Sequence, residues 1–220
     1  MILLIDKPKG MTSADVVAIV KRTLHEKVGH GGTLDPNATG LLIVGTGVDT
    51  KKLGEITKNT NKTYEAEIFL GENRTTDDIE GEKIVRCYDT KIPDLEEIKE
   101  VLPSFEGEQM QTPPQYSAIK TKGKKAYDLA RRGNKVILTP RKVNIYSIKL
   151  VEFKYPVLKV TCEVSSGTYI RALARDIGEK LGTGAYLANL RRTKVGEYQV
   201  EKAISLQEVQ HLRQVKQKQH

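Results

Sequence analysis

NIYSIKLVEFKYPVLKVTCEVSSGTYIRALARDIGEKL, residues 144–181, holds two alternating runs followed by one of helical period. Asn144 to Phe153 and Val157 to Val164 switch between apolar and polar residues at nearly every step, the signature of half-buried strands. The link between them is short, so they read as an antiparallel pair. Tyr169 to Leu181 places its apolar residues at helical spacing and is followed by Gly182, a natural helix stop. Strand, strand, helix with short connections implies an α+β fold with a mixed, mostly antiparallel sheet flanked by helices and loops.

The rest of the chain fits that frame. Residues 2–5 read as a strand and Asp6 to Gly10 as a loop. Thr12 and Ser13 are capping types before a helix over Ala14 to Leu24. Residues 29–40, GHGGTLDPNATG, carry four glycines and a proline and read as a shaped loop rather than a regular element. Leu41 to Val44 reads as a buried strand, Thr50 to Ile56 as a short helix, and Lys62 to Leu70 as an alternating strand. Asn73 to Gly81 reads as a loop, and Asp94 caps a helix reaching Leu102. Lys124 to Arg132 reads as a short helix stopped by Gly133. Ala185 to Val195 reads as irregular chain and then strand, and Ile204 to Leu212 as a helix.

Composition excludes several classes. The chain has 220 residues, 38% of them apolar, an ordinary share for a globular protein. Its longest run free of charge and proline, Asn37 to Val48, falls short of the ~20 apolar residues a membrane helix needs. The N-terminal apolar run is also too short for a signal peptide. Cys87 and Cys162 form no CxxC, which implies a reducing cytoplasm and no zinc site. The net charge is +8. Residues 115–142 hold nine basic residues against the single acid Asp128, while the remainder of the chain balances at 27 of each sign. Such a concentration reads either as a solvated loop or as a surface for a polyanion.

The chemistry-bearing motifs reduce to two. The glycines of residues 29–40 make neither GxGxxG nor a P-loop, and no GxSxG is present. His25 and His30 lack a third ligand, so no metal is expected. Asp35 remains, between Leu34 and Pro36 in the glycine-rich loop. It reads as a fixed carboxylate or as a turn aspartate capping its own backbone. A carboxylate in a half-closed site needs a cation to stay ionised and aimed. Arg171, at the start of the helix after SSGTY, is the candidate; the other reading pairs it with Asp176.

Five blocks settle these alternatives: LIDKPKGMTS (4–13), GHGGTLDPNATGLL (29–42), KTYEAEIFLG (62–71), TPPQYSAIKTKGKKAYDLARRG (112–133) and SSGTYIRALARDIGEKLGTGAYLANLRRTKVG (165–196). Together, in this order, they resemble the TruB family of tRNA pseudouridine synthases. The resemblance implies the pseudouridine synthase fold and the isomerisation of a flipped-out uridine to pseudouridine, usually at position 55 in the TΨC loop of tRNA. By motif match Asp35 is the catalytic carboxylate, Arg171 its paired arginine, and Tyr64 the tyrosine that stacks on the target base. His30 matches the histidine that holds the splayed loop, Tyr169 stands beside Arg171, and Leu190 lines the pocket with Ile170. The basic block, with Lys120, Arg131 and Arg132, matches an insert that closes over the RNA.

The resemblance also implies no cofactor, a tRNA partner with no membrane and no required protein partner, and a monomer in the cytoplasm. Residues 1–210 are then the catalytic domain, with the RNA-binding insert at about 112–142, and residues 211–220 a basic polar tail. The PUA-type C-terminal domain common in the family is expected to be absent. One departure stands inside the motif: Gly31 occupies a place where the family more often has threonine. The competing readings are an RNA-binding or tRNA-folding chaperone, and a pseudouridine synthase of another RNA.

Overall fold

The computed structural model describes residues 1–84, 92–117, 120–121, 124–125 and 138–217. In chain order the elements are β1 (Ile2–Lys7), α1 (Ser13–Leu24), β2 (Val28–Gly31), β3 (Thr39–Thr46), α2 (Leu53–Thr57), β4 (Lys62–Leu70), β5 (Asn73–Arg74), β6 (Lys83–Ile84) and α3 (Leu95–Val101). They continue with β7 (Gly107–Gln111), β8 (Lys120–Thr121), β9 (Lys124–Lys125), β10 (Arg141–Lys154), β11 (Val157–Val164), α4 (Ile170–Lys180), β12 (Ala185–Val195), β13 (Tyr198–Gln199) and α5 (Leu206–Gln217). The chain divides into two compact units, Met1–Glu65 with Leu190–His220, and Ala66–Asn189.

The first unit is built around β3. β1 runs antiparallel to it, from Ile2 opposite Gly45 to Lys7 opposite Gly40. β2 pairs antiparallel with its far end, and β12 lies parallel to its start, with Arg191 opposite Thr39 and Arg192 opposite Gly40. Leu42 and Val44 pack with Leu3, Ile5, Val16, Val20 and Val209, whereas Leu41 and Ile43 pack with Leu53, Val195 and Val200. β3 is therefore covered on both faces, which is why it reads as an unbroken apolar run. α1 starts with a capping box: Asp15 N donates to Thr12 Oγ1 at 3.0 Å and Thr12 N to Asp15 Oδ2 at 2.9 Å.

The second unit centres on β10 and β11, antiparallel from Ile145 opposite Val164 to Lys154 opposite Val157, with two register shifts. β7 flanks the first part of β10, with Gln111 opposite Arg141 and Gly107 opposite Ile145. Leu158, Val160, Cys162 and Val164 alternate inward along β11. Burial pushes the Cys162 thiol up to about 12, so this cysteine is a core residue and no nucleophile. α4 buries Ile170, Arg171, Leu173, Ala174 and Ile177.

The α+β class, with a mixed and largely antiparallel sheet, is what the alternating runs imply. Four local readings change. Residues 28–31 are strand, not loop, and Asn73–Arg74 pairs with Lys83–Ile84. Ala185 to Val195 is strand throughout. Lys124–Lys125 pairs with Lys120–Thr121 as a hairpin rather than opening a helix, and the remainder of that expected helix lies outside the described residues.

Candidate active site

Asp35 sits half-buried in the bend between β2 and β3, in the first unit. The bend is held by its neighbours from three sides. Ser13, 2% exposed at the start of α1, accepts from Leu34 N at 2.9 Å and donates to Leu34 O at 3.1 Å. Both polar groups of the residue before Asp35 are thus satisfied by one hydroxyl. Gly10 N donates to Pro36 O at 2.9 Å, and Ala38 N to Asp35 O at 3.1 Å. Arg192, 2% exposed, donates through Nη2 to Gly32 O at 3.0 Å and through Nε to Leu41 O at 2.8 Å.

A further support is Lys7, whose side chain is fully enclosed. Its ammonium donates to Pro8 O, Met11 O and Pro36 O at 2.9, 2.6 and 3.2 Å. Burial lowers its pKa to about 8; the Asp35 charge opposes that shift and Arg192 adds to it. At neutral pH the group remains a cation near Asp35. His30 lies in β2 with Nδ1 buried and without a hydrogen-bond partner among the described residues. Burial, and then the Arg192 charge, lower its pKa, which favours the neutral ring. Tyr64, 8% exposed, shares the buried face of β4 with Lys62. Leu190 is half-buried, and its carbonyl accepts from Thr39 Oγ1 at 3.4 Å.

Tyr169 and Arg171 belong to the second unit. Tyr169 is the residue before α4, and Gln111 brackets its backbone: Oε1 accepts from Tyr169 N at 2.8 Å and Nε2 donates to Tyr169 O at 3.2 Å. Arg171, 6% exposed, donates to Thr76 O at 3.1 Å and Tyr116 O at 3.0 Å, and pairs with Asp78 Oδ2 at 3.3 Å. Asp176, the partner considered from sequence, is held by Arg175 at 2.8 Å. Lys120 lies in β8, and Arg131 and Arg132 lie outside the described residues. Among the described residues no three His, Cys, Asp or Glu side chains come together as a metal ion would need. No helix among them is long and apolar enough to cross a membrane.

The structure thus groups His30, Asp35, Tyr64 and Leu190 in one unit, and Tyr169 and Arg171 in the other. It adds supports that sequence reasoning missed: Lys7, Arg192 and the inward role of Ser13 in the first, Gln111 and Asp78 in the second. The signal for Lys7 was a lysine between an apolar strand and a proline, in a block already singled out. Arg192, Ser13 and Gln111 act on backbone groups and Asp78 through an ion pair with Arg171, and none of these contacts leaves a mark in the sequence.

The Gly31 departure has a local cause. A Cβ at residue 31 would meet the Thr57 methyl inside van der Waals distance, and Thr57 Oγ1 is fixed to Leu53 O at 2.7 Å. The space a threonine side chain would take at 31 is occupied by Thr57.

Residues 21–170 match the model of the TruB family pseudouridylate synthase N-terminal domain, and residues 171–220 that of the tRNA pseudouridylate synthase B C-terminal domain. The tRNA pseudouridine synthase B of Aquifex aeolicus is 46% identical over 209 residues, spanning 94% of this chain and 72% of that protein. The protein of that name from Alkaliphilus oremlandii is 47% identical over 217 residues, spanning 97% and 71%. A solved Cbf5-Nop10-Gar1 complex contains a chain that superposes on all of this one with a TM-score of 0.77 and 31% identity, and this chain spans 56% of it. With a family model covering well over half its length and two such relatives matched over most of theirs, the chain belongs to the TruB family of pseudouridylate synthases.

Proposed function

We propose that the chain isomerises uridine to pseudouridine in tRNA, at position 55 of the TΨC loop. The observation that supports this best is the Asp35 bend. Its carboxylate stands on a backbone held at Gly32, Leu34 and Pro36 by Arg192, Ser13, Lys7 and Gly10, preorganisation of the kind a reacting carboxylate requires. In the reaction the N1–C1′ bond breaks, the base turns, and a C5–C1′ bond forms. One proton leaves C5 and one is gained at N1. No electrons leave the substrate and no group is activated, so the balance needs no cofactor.

Asp35 acts as the ionised carboxylate at the junction of sugar and base, and Arg171 serves as a cation of the same reaction. Tyr64 stacks on the flipped base and serves the proton transfer from C5. His30 holds the opened loop, Tyr169 binds the substrate, and the apolar side chains of Leu190 and Ile170 exclude water so that the broken nucleoside rejoins. The basic insert at about 112–142, including Lys120, Arg131 and Arg132, grips the phosphate backbone. The chain works as a monomer, with no protein partner, in the cytoplasm, and residues 1–210 form the catalytic body.

The test is tritium release from a TΨC stem-loop RNA carrying C5-tritiated uridine at the target. The full chain is expected to release tritium. Asp35→Asn is expected to release none while binding the RNA as tightly as the parent, because the isostere removes only charge. Normal release by Asp35→Asn ends the catalytic assignment; no release by the parent chain ends the functional one.

A further inference from the structure

The loop between β5 and β6 carries two adjacent aspartates, and each meets an arginine of α4. Asp78 Oδ2 lies 3.3 Å from Arg171 Nη1, and Asp77 Oδ2 lies 2.8 Å from Arg175 Nη1. Arg171 and Arg175 are four residues apart, one turn along the same face of the helix. Consecutive side chains of an extended chain point in opposite directions. Here they do not, because Asp77 has φ +60, in the left-handed region. That turn brings both carboxylates onto α4.

From this arrangement we propose that Asp77 and Arg175 form a positioning clip that sets the aim of Arg171. The inference rests on the role of Arg171 proposed above. The two ion pairs divide the labour. Asp78 is committed on its other oxygen, Oδ1, to Thr76 Oγ1 and to Glu80 N, and its reach to Arg171 is the longer of the two. Arg171 also donates to Thr76 O, in the same loop. With the Tyr116 carbonyl holding Nη2 at 3.0 Å, the position of the loop against α4 sets where the other side of the Arg171 guanidinium points. The short ion pair made by Asp77 fixes that position. Arg175 is in turn held by Asp176 through Nε at 2.9 Å and by Thr112 O through Nη2 at 3.0 Å.

The clip is maintained against two local costs. A non-glycine residue in the left-handed region is strained. Burial also raises the Asp77 pKa to about 6; Arg175 and Arg171 oppose that shift and Asp176 adds to it. Its charged form is thus the unfavourable one, yet it is the form present at pH 7. Because Arg175 keeps Asp176 and the Thr112 carbonyl as partners, a neutral side chain at 77 leaves no cation unanswered, which argues that the charge serves the site. Asparagine tolerates the same backbone, so Asp77→Asn removes the charge without removing the turn.

The test uses the full chain and two readouts. In the tritium assay Asp77→Asn is expected to lower kcat about tenfold, the size of coupling a supporting residue carries, with KM unchanged and a melting temperature equal to or above that of the parent. Arg175→Gln is expected to match it, and the double variant to be no worse than either, because the two side chains act as one unit. In solution NMR the Arg171 Nη signals, held apart in the parent by fixed partners, are expected to merge through faster rotation in Asp77→Asn. An unchanged kcat overturns the proposal, as do losses that multiply in the double variant, or a loss matched by a fall in melting temperature. Unaltered Arg171 signals overturn it even if the parent proves to have a different activity, so the two failures are separable.

Discussion

Both stretches proposed to act on the substrate are braced in the same way. One buried polar side chain takes the N–H and the C=O of a single residue, Ser13 for Leu34 and Gln111 for Tyr169. With the peptide on each side of that residue held at one polar group, neither can turn freely, so the next side chain inherits a fixed direction. For Asp35 that direction is the whole of its usefulness. Ser13→Ala leaves two buried backbone groups without partners and should cost about 1–3 kcal/mol of stability, the penalty for unsatisfied buried groups. Because the freed peptide directly precedes Asp35, kcat in the tritium assay should fall while KM for the RNA stays near the parent value. Urea unfolding measures the first effect and steady-state kinetics the second. If stability drops and kcat does not, the bend is held well enough by Lys7, Gly10 and Arg192 alone.

At the scale of elements, what could be read from the chain depended on whether side chains advertised the structure. The β10–β11 pair and α4 were legible because their apolar periods are clean, and α1 because Thr12 and Ser13 are capping types ahead of a helical stripe. β2 was not, since three residues of the run 29–32 are glycines and carry no pattern, yet it pairs with β3 from Val28 to Gly31. The first part of β12 was missed for the opposite reason. It runs straight into Arg191 and Arg192, which look solvated in sequence, whereas Arg192 is enclosed and bonded to backbone carbonyls. The parallel pairing of β12 with β3 joins residues more than 150 positions apart and has no local signature. The site divides likewise: Asp35 was visible from its glycine-rich setting, while Ser13, Gln111 and Asp77 work through geometry alone. The packing of β2 on α2 at Gly31 can be tested directly. Gly31→Thr should lose roughly 1–3 kcal/mol in urea unfolding, as overpacked sites do, and Gly31→Thr combined with Thr57→Ala should recover most of it relative to Thr57→Ala alone. Full loss in the double variant would mean that the strand, and not Thr57, excludes the side chain.

For the whole molecule the deciding quantity is where the charge lies, because most of it cancels locally. Lys52 pairs with Asp49, Lys83 with Glu72, Lys99 with Glu96 and Lys159 with Glu152, each within 3.0 Å. The excess of +8 sits in residues 115–142. At physiological salt, fields from exposed charges fade over about 8 Å, so an RNA phosphate responds to the cations beside it and hardly to the total. Two quadruple variants with the same net charge separate these quantities. Replacing Lys120, Lys124, Arg131 and Arg132 by glutamine should flatten the plot of log affinity against log salt for a TΨC stem-loop RNA by about 3, at roughly 0.7–0.9 for each phosphate no longer neutralised. Replacing Lys52, Lys83, Lys99 and Lys159 by glutamine removes as much charge from places where acids already answer it, and should leave the slope alone. Equal flattening in both variants would show that the chain attracts RNA as a diffuse polycation, and residues 112–142 would lose their proposed place as the gripping segment.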